Sequence, residues 1–569
     1  MPWHDCEREV RSTECSVPLL SVLGLLRLTF PDPRPSIPDP VSARTPEPLP
    51  SPPATATPLR PVAVIDIGTA SIRMALAEIQ PGGTVRQLET LTQAVNLGKD
   101  SFIKGAISKD TIEDCVRVLN SYRRILREYQ IDNPQQIRVV ATSAVREATN
   151  RLAFVDRIYI ATGLSVEPLD EAEVIRITFL GIQPFLLSDP ALKEARSVVT
   201  EVGGGSTELL LVKGGDVVYS HTYRLGSLRL RETLEALRAP TLKVRNIMES
   251  HINRTVEEIA DHVSRDGRIE LIAMGGDVRF AVRQLQPEWD GHSLARLSVK
   301  ALEDFTNKIL GQSEDKLVRK YRLSFPEAET LGPALLAYVL LAKELQLASV
   351  LVTNVNLRDG LLQELASGAA WSKEFSQQII RSAMDLGKKF GYDEAHATHV
   401  AQLCSTLFQQ LRDEHQLPPR YEVVLSVAAL LHEIGLFVSS RSYHKHSLYL
   451  IRNSELFGMG RKELFLAAMV ARYHRRASPQ PTHEGYNTLD RDERVAVAKL
   501  AAILRVADAL DESRSQRIHE LTCAREGGRF VVSIPLVEDL SLEQLALKQN
   551  GALFEETFGS PVLLRMERD

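Results

Sequence analysis

The sequence predicts an α/β protein built from a duplicated two-lobed unit with a cleft between the halves, followed by an all-α region and a small α/β end. Three observations lead there. Val62-Ala-Val-Ile-Asp-Ile-Gly68 is a β-branched run closed by an acid and a glycine, a buried strand entering a turn. The same texture returns about 135 residues later in Val198-Val-Thr-Glu-Val-Gly-Gly-Gly205. Beyond about Gly368 strand signals almost vanish in favour of helical stripes, until Phe530-Val-Val-Ser-Ile534 and Pro561-Val-Leu-Leu-Arg565.

In chain order, residues 1–60 read as a disordered extension or a mis-assigned start. Pro31 to Pro61 holds 12 of the 29 prolines, and proline removes a backbone donor and fixes φ, which suits a linker. Val17–Leu26 is an apolar run near the start of the chain that falls short of the roughly 18–20 residues that span a bilayer, and no run reaches that length. It follows the mixed charges Asp5, Glu7, Arg8, Glu9 and Arg11, a poor signal-peptide context. Lobe I is expected over residues 61–185, with a strand at Ile72–Ile79, a Gly82-Gly83 turn, a helix from Asp110 to Tyr129 and a strand at Ile137–Ala141. Lobe II is expected over 186–367, with a strand at Glu208–Val212, a Gly214-Gly215 turn and a weaker third copy, Glu270-Leu-Ile-Ala-Met-Gly-Gly-Asp277. Residues 368–515 form the helical domain and 516–569 the small terminal domain.

Composition narrows the function. At 569 residues the chain exceeds one core, and 44% hydrophobic with 25% charged residues is ordinary for a soluble globular protein. A net charge of -5 argues against a globally basic nucleic-acid binder. Cys6, Cys15, Cys115, Cys404 and Cys523 form no CxxC pair, so neither a cysteine zinc site nor a disulfide framework is expected, and a reducing cytoplasm is.

The two glycine turns carry the chemistry. In Asp66-Ile-Gly68-Thr69-Ala70-Ser71 a strand delivers a carboxylate to a turn whose N–H groups and hydroxyls can face one anion. Glu201-Val-Gly203-Gly204-Gly205-Ser206-Thr207-Glu208 is stronger, since three glycines allow close backbone approach to phosphate. Either turn alone is as readily a hairpin corner. Two copies, each led by an acid, point to phosphate and a divalent cation.

These segments, with Gly275-Gly276-Asp277, Ala141-Thr-Ser-Ala-Val-Arg146-Glu-Ala-Thr-Asn150 and Leu357-Arg-Asp-Gly-Leu-Leu362, resemble the motifs of the exopolyphosphatase and guanosine pentaphosphate phosphatase (Ppx/GppA) family. That family lies within the actin-like, ribonuclease H-like superfamily. The resemblance implies two actin-like lobes and metal-assisted hydrolysis of a terminal phosphoanhydride, of polyphosphate or alternatively of pppGpp. It assigns Gly68, Thr69, Ser71, Gly203, Gly204, Gly205, Ser206, Thr207 and Gly276 to phosphate oxygens, with Arg146 as a clamp. Asp66, Glu201 and Glu208 would position Mg²⁺ or water. A bacterial, cytoplasmic homodimer is the family's usual state.

The sequence departs from that pattern in three places. Thr69-Ala70 stands where the family usually has Ser-Asn, and Glu201 stands where it has aspartate. The general-base glutamate is the third. Counting back from Gly181 through Arg176 without gaps puts Val174 at its position. Either the register slips and Glu173 (less readily Glu171) serves as base, or catalysis is weak and the chain is a phosphate or nucleotide sensor.

The helical domain resembles a divergent HD domain, with His399, His432-Glu433, His446, His474 and Asp508 as the expected site residues and Glu433 replacing the motif's aspartate. That replacement favours a structural remnant over a working metal site. Between Arg441 and Arg476 eight cations, including Lys445, Arg472 and Arg475, face two acids, a basic segment suited to tracking a polyanion. Few aromatics accompany it, which argues against nucleic acid, and no segment suits a membrane.

Overall fold

The computed structural model describes residues 60–236, 244–264, 266–367, 373–535, 537 and 539–566. The proline-rich extension and its apolar run lie outside these residues.

Between Arg60 and Asp66, strand β1 (Arg60–Ile67) is apolar because both of its faces are covered. Ala63, Ile65 and Ile67 pack under the helix Lys109–Glu128, whose Tyr122 hydroxyl donates to the Ile72 carbonyl over 2.8 Å. Val62 and Val64 point the other way, towards Val174 and Ile177 of the helix Glu171–Ser188 and Leu361 of the helix Leu357–Ser367. Around β1 the first sheet adds β2 (Ser71–Ile79), β3 (Val85–Ala94), β4 (Ile137–Ala141) and β5 (Val166–Pro168) in the order β3-β2-β1-β4-β5. β1 runs antiparallel to β2 and parallel to β4.

The second sheet repeats this plan. It comprises β6 (Arg196–Val202), β7 (Thr207–Lys213), β8 (Asp216–Tyr223), β9 (Ile269–Met274), β10 (Ala295–Ser298) and β11 (Ser349–Val352), ordered β10-β11-β9-β6-β7-β8. β6 again runs antiparallel to β7 and parallel to β9. The hairpin–hairpin–parallel-crossover order is thus the same in both halves, a duplicated actin-like fold.

From Lys373 to Ala509 the described residues are helices and short turns. They share a core with the second sheet: Phe457 meets Phe179 and Phe375 edge-on, each at 5.6 Å between ring centroids. The helix Glu171–Ser188 runs across the boundary expected at residue 185 and joins both regions. A last sheet, β12 (Thr522–Glu526), β13 (Arg529–Ile534) and β14 (Val562–Met566), closes the chain with β13 and β14 parallel.

The two helices under β1 cross glycine to glycine. A methyl at Gly360 would run into the Ile177 carbonyl oxygen, and one at Gly181 would meet Val355 and the Gly360 backbone. Gly360→Ala should therefore cost about 2 kcal/mol, read as a lower denaturant midpoint at unchanged slope. An unchanged midpoint would mean that the crossing can relax.

Candidate active site

Each half carries the same four-residue turn. In the first, the Gly68 N–H donates to the Ser71 carbonyl over 3.0 Å; in the second, the Gly203 N–H donates to the Ser206 carbonyl over 2.9 Å. The strand registers agree as well. Asp66 pairs with Arg73 and Glu201 with Glu208, each pair two steps outside its turn. Asp66 and Glu201 therefore occupy matching places, as do Arg73 and Glu208.

The turns face each other. A methyl on Gly204 would collide with Thr69, and one on Gly205 with Ser143 and Phe102. Gly226 lies so close behind the second turn that a methyl there would strike the Gly204 carbonyl. Arg229 ties the lobes together: its Nε donates to the Gly205 carbonyl (2.9 Å), its Nη2 to Glu147 (2.6 Å), and its guanidinium lies 4.1 Å over the Phe102 ring. A third turn is held by Tyr338, whose hydroxyl donates to the Met274 carbonyl and accepts from the Val202 N–H at 2.8 Å. Gly275 there has φ of 111°, a region that favours glycine.

Between the turns lies a cleft of about 980 Å³. Its lining includes Asp66, Gly68, Thr69, Ser71, Gly203, Gly204, Gly205, Ser206, Gly276, Glu201 and Glu208, all expected there. Thr207 is not on it, because its hydroxyl donates back to the Leu225 carbonyl. Arg146 is also off the lining. It donates to the Leu169 carbonyl (3.1 Å) and lies 4.0 Å from Glu171, so its fork is turned to the loop before the helix.

The cleft's cations are instead Arg73, Arg279, Arg283, Arg322 and Arg358. Arg358 Nη1 lies 3.4 Å and Arg73 Nη1 3.9 Å from Asp66 Oδ2. Sequence signals for two of them existed. Arg73 faces Asp66 once the four-residue turn fixes the hairpin register, and Arg358 stands inside the Leu-Arg-Asp-Gly segment. Arg279 and Arg283 follow the Gly276-Asp277 motif on one helix, and Arg322 carries no comparable mark. None of Arg441, Lys445, Arg472, Arg475 and Arg476 lines the cleft.

Glu173 is not on the cleft lining. It is the N3 residue of a capping box: its backbone N–H donates to Asp170 (2.9 Å) and its carboxylate accepts from the Asp170 N–H (3.3 Å). Val174, its neighbour, does line the cleft. Glu171 pairs with Arg461 at 3.4 Å.

The helical residues also sort differently from expectation. His396, His432 and Asp508 converge, each offering an atom within 4.8 Å of the others. His396, one turn before His399, was missed by sequence reading. His399 faces the His519 ring instead, at 5.7 Å. Glu433 is held by Arg514 at 2.8 Å. His446 is not in the cluster, and His474 sits beside it with its ring 4.9 Å from that of His432.

A family model described as the Ppx/GppA phosphatase family matches residues 75–368, and one described as Ppx/GppA phosphatase, domain III, matches residues 380–550. The chain belongs to the Ppx/GppA phosphatase family. Curated proteins similar to it include a guanosine-5'-triphosphate,3'-diphosphate pyrophosphatase of Vibrio vulnificus, 23% identical over 482 residues, covering 83% of this chain and 91% of the relative. That of Aliivibrio fischeri is 22% identical over 446 residues, covering 78% and 86%. Among solved structures, an exopolyphosphatase from Cytophaga hutchinsonii is similar at 19% identity and a TM-score of 0.49, covering 54% of this chain and 98% of that one. The Aquifex aeolicus Ppx/GppA family member gives 20% identity and 0.46, covering 55% and 99%.

In this Ppx/GppA protein the cleft's donor set fits a hard divalent cation. Asp66 Oδ1 is buried with no hydrogen-bond partner, on the same lining as the carboxylates of Glu201, Glu208 and Asp277. Burial, then the neighbouring Glu201 charge, pushes Glu208 up to about 7, although the Ser206 hydroxyl donates to it at 2.6 Å. Burial raises Asp277 to about 6 and also raises Glu201. Carboxylates so reluctant to ionise call for a compensating positive charge.

Glu173 is pushed up to about 7 by burial, then by Asp170 and Glu167. Its ordinary value of 4.5 applies when unfolded, so the native state is favoured below that pH and loses this advantage as pH rises through about 7. Glu173→Gln keeps an acceptor for the cap without the charge. Its Tm relative to wild type should improve from pH 5 to pH 8, which thermal unfolding at the two values checks. A constant difference would show that Glu173 is not strained by ionisation.

Proposed function

We propose that this protein hydrolyses the terminal phosphoanhydride of a polyanionic substrate in the cleft between its lobes, with inorganic polyphosphate as the first substrate. The carrying observation is the pair of matching turns that face each other across the cleft amid buried acids and arginines. The turn N–H groups, with Thr69, Ser71 and Ser206, would grip phosphate oxygens, and Arg73, Arg279 and Arg358 would hold the chain end. Asp66 and Glu201 would hold Mg²⁺, which when bound offsets substrate charge. Glu208, linked to Ser206, would orient the attacking water, and a carboxylate that titrates near neutrality suits that task.

The printed names of the Vibrio and Aliivibrio relatives support pppGpp as the second reading. A sensor with little turnover is the third, and Val174 at the base position supports it. We further read the helical part as an HD-type domain and the chain as a cytoplasmic homodimer. Among the described residues no helix is long and apolar enough to cross a membrane, and the dimer rests on family resemblance.

Phosphate release from long polyphosphate and from pppGpp, with Mg²⁺, tests this. Glu201→Ala and Arg358→Ala should each lower turnover about 10²-fold or more, and Glu173→Ala should leave it unchanged. Binding without turnover in wild type would select the sensor.

Two further outcomes follow from the cleft wall. Val174→Glu places a carboxylate there and should raise the rate about tenfold or more, within the range of general-base contributions. The wild-type rate should climb as pH passes about 7, when Glu208 ionises, and Glu208→Gln should be slow and flat. A pH profile shared by both proteins would remove Glu208 from the water-orienting role.

A further inference from the structure

The helix Phe325–Glu344 serves two cavities. Its Glu327, Thr330 and Leu331 line the cleft, whereas its Ala328, Glu329 and Gly332 line a separate cavity of about 340 Å³. That volume falls in the range small organic ligands occupy. The helices Ser227–Ala236, Val244–His262, Val299–Leu310 and Glu314–Tyr321 supply the other walls. Much of the lining is apolar: Leu234, Met248, Ile309, Leu317 and Ala328 are buried and carry no polar side-chain atom.

The polar groups are unevenly matched. Among the lining residues Arg231 is the one cation, and three carboxylates surround it. Its Nε donates to Glu235 (2.9 Å), its Nη1 donates to Glu314 (2.7 Å), and its Nη2 lies 3.8 Å from Glu329 Oε1. Glu329 is the buried member, with 4% of its side chain exposed. The same Oε1 accepts from Lys99 Nζ over 3.2 Å, and Lys99 reaches it from lobe I. The other oxygen, Oε2, is buried with no hydrogen-bond partner. Three acids against one guanidinium leave the lining negative, and Lys99 offsets only part of that excess. An anionic ligand would have to dislodge an acid from Arg231, whereas a cationic one finds an acceptor still open.

We propose that this cavity binds a small organic cation, a primary ammonium carried on an apolar body. The ammonium donates to Glu329, and the body lies against Leu234, Met248, Ile309 and Leu317. Burial of that body supplies the affinity, and the buried carboxylate supplies the selection for positive charge. The ammonium competes with Lys99 for Glu329, so occupancy loosens a contact between the lobes. The alternative is an ion-pair cluster that only ties helices together. None of these residues is assigned a part in the cleft chemistry, so the site stands or falls apart from the hydrolase reading.

The test is isothermal titration of the full-length protein with tryptamine, an ammonium on an indole body. Saturable binding at one equivalent per chain is expected. Indole-3-propionate, with a carboxylate in place of the ammonium, should bind at least about tenfold more weakly. Tryptamine should weaken by a similar factor in Glu329→Gln, which keeps the shape and loses the charge. Lys99→Met removes the competitor and should tighten tryptamine severalfold. Glu201→Ala, altered in the cleft, should bind as wild type does. Circular dichroism identifies a variant that has unfolded. If Glu329→Gln has done so, Lys99→Met carries the test, since its side chain is 38% exposed and its loss is tolerable. Absence of saturable binding to folded wild type, equal binding by folded Glu329→Gln, or no tightening in Lys99→Met overturns the proposal in favour of the structural cluster.

Discussion

Bare glycine backbone of one lobe must meet side chains of the other across the cleft, and most of the molecule is arranged to allow it. Gly204 and Gly205 abut Thr69 and Ser143 with no room for a methyl group, and Gly226 presses on the same turn from behind. Without side chains in the way, the N–H groups of both turns can point into one small volume. Each turn is closed by the same internal hydrogen bond and delivered by the same strand order, so the convergence follows from repetition of one local structure. Arg229 then fixes the distance between the halves by holding the Gly205 carbonyl of its own lobe while reaching a carboxylate and an aromatic ring across the gap.

Electrostatics follow from that geometry. Burial within the cleft wall makes the carboxylates of Glu201, Glu208 and Asp277 resist ionisation. Five arginines are drawn into the same space, two of them flanking Asp66. Asp66 still keeps one oxygen unsatisfied, and Arg358 Nε likewise has no partner. Unsatisfied donors and acceptors side by side characterise a surface shaped for an ionic guest.

The duplicated α/β plan was legible in the sequence because β1 and β6 are buried on both faces, and a continuous β-branched run ending in glycine suits a doubly covered strand and little else. Strands β3 and β8 were less visible, since an outer strand with one exposed face carries mixed residues. The turns and their acids were readable for the same local reason. Arg279 and Arg283 were not read although their helix starts at the Gly276-Asp277 motif, because only the helix geometry turns those two positions to the cleft, and Arg322 reaches it from a segment with no pattern of its own. Arg146 misled through its motif: the side chain finds a loop carbonyl before it finds the cleft. His396 was passed over for His399 because both lie on one helix, and only the positions of the partner helices decide which face turns inward.

Asp170 has a consequence beyond its own helix. One of its oxygens accepts from Glu173 at the start of the helix that carries Val174, and the other accepts from the backbone of Arg461, where a helix of the domain III region starts. A single carboxylate thus serves as a common keystone for two helices that belong to different parts of the chain. Neither entry can be re-threaded by a residue without unseating the other, so changes in the two regions have to accumulate in step.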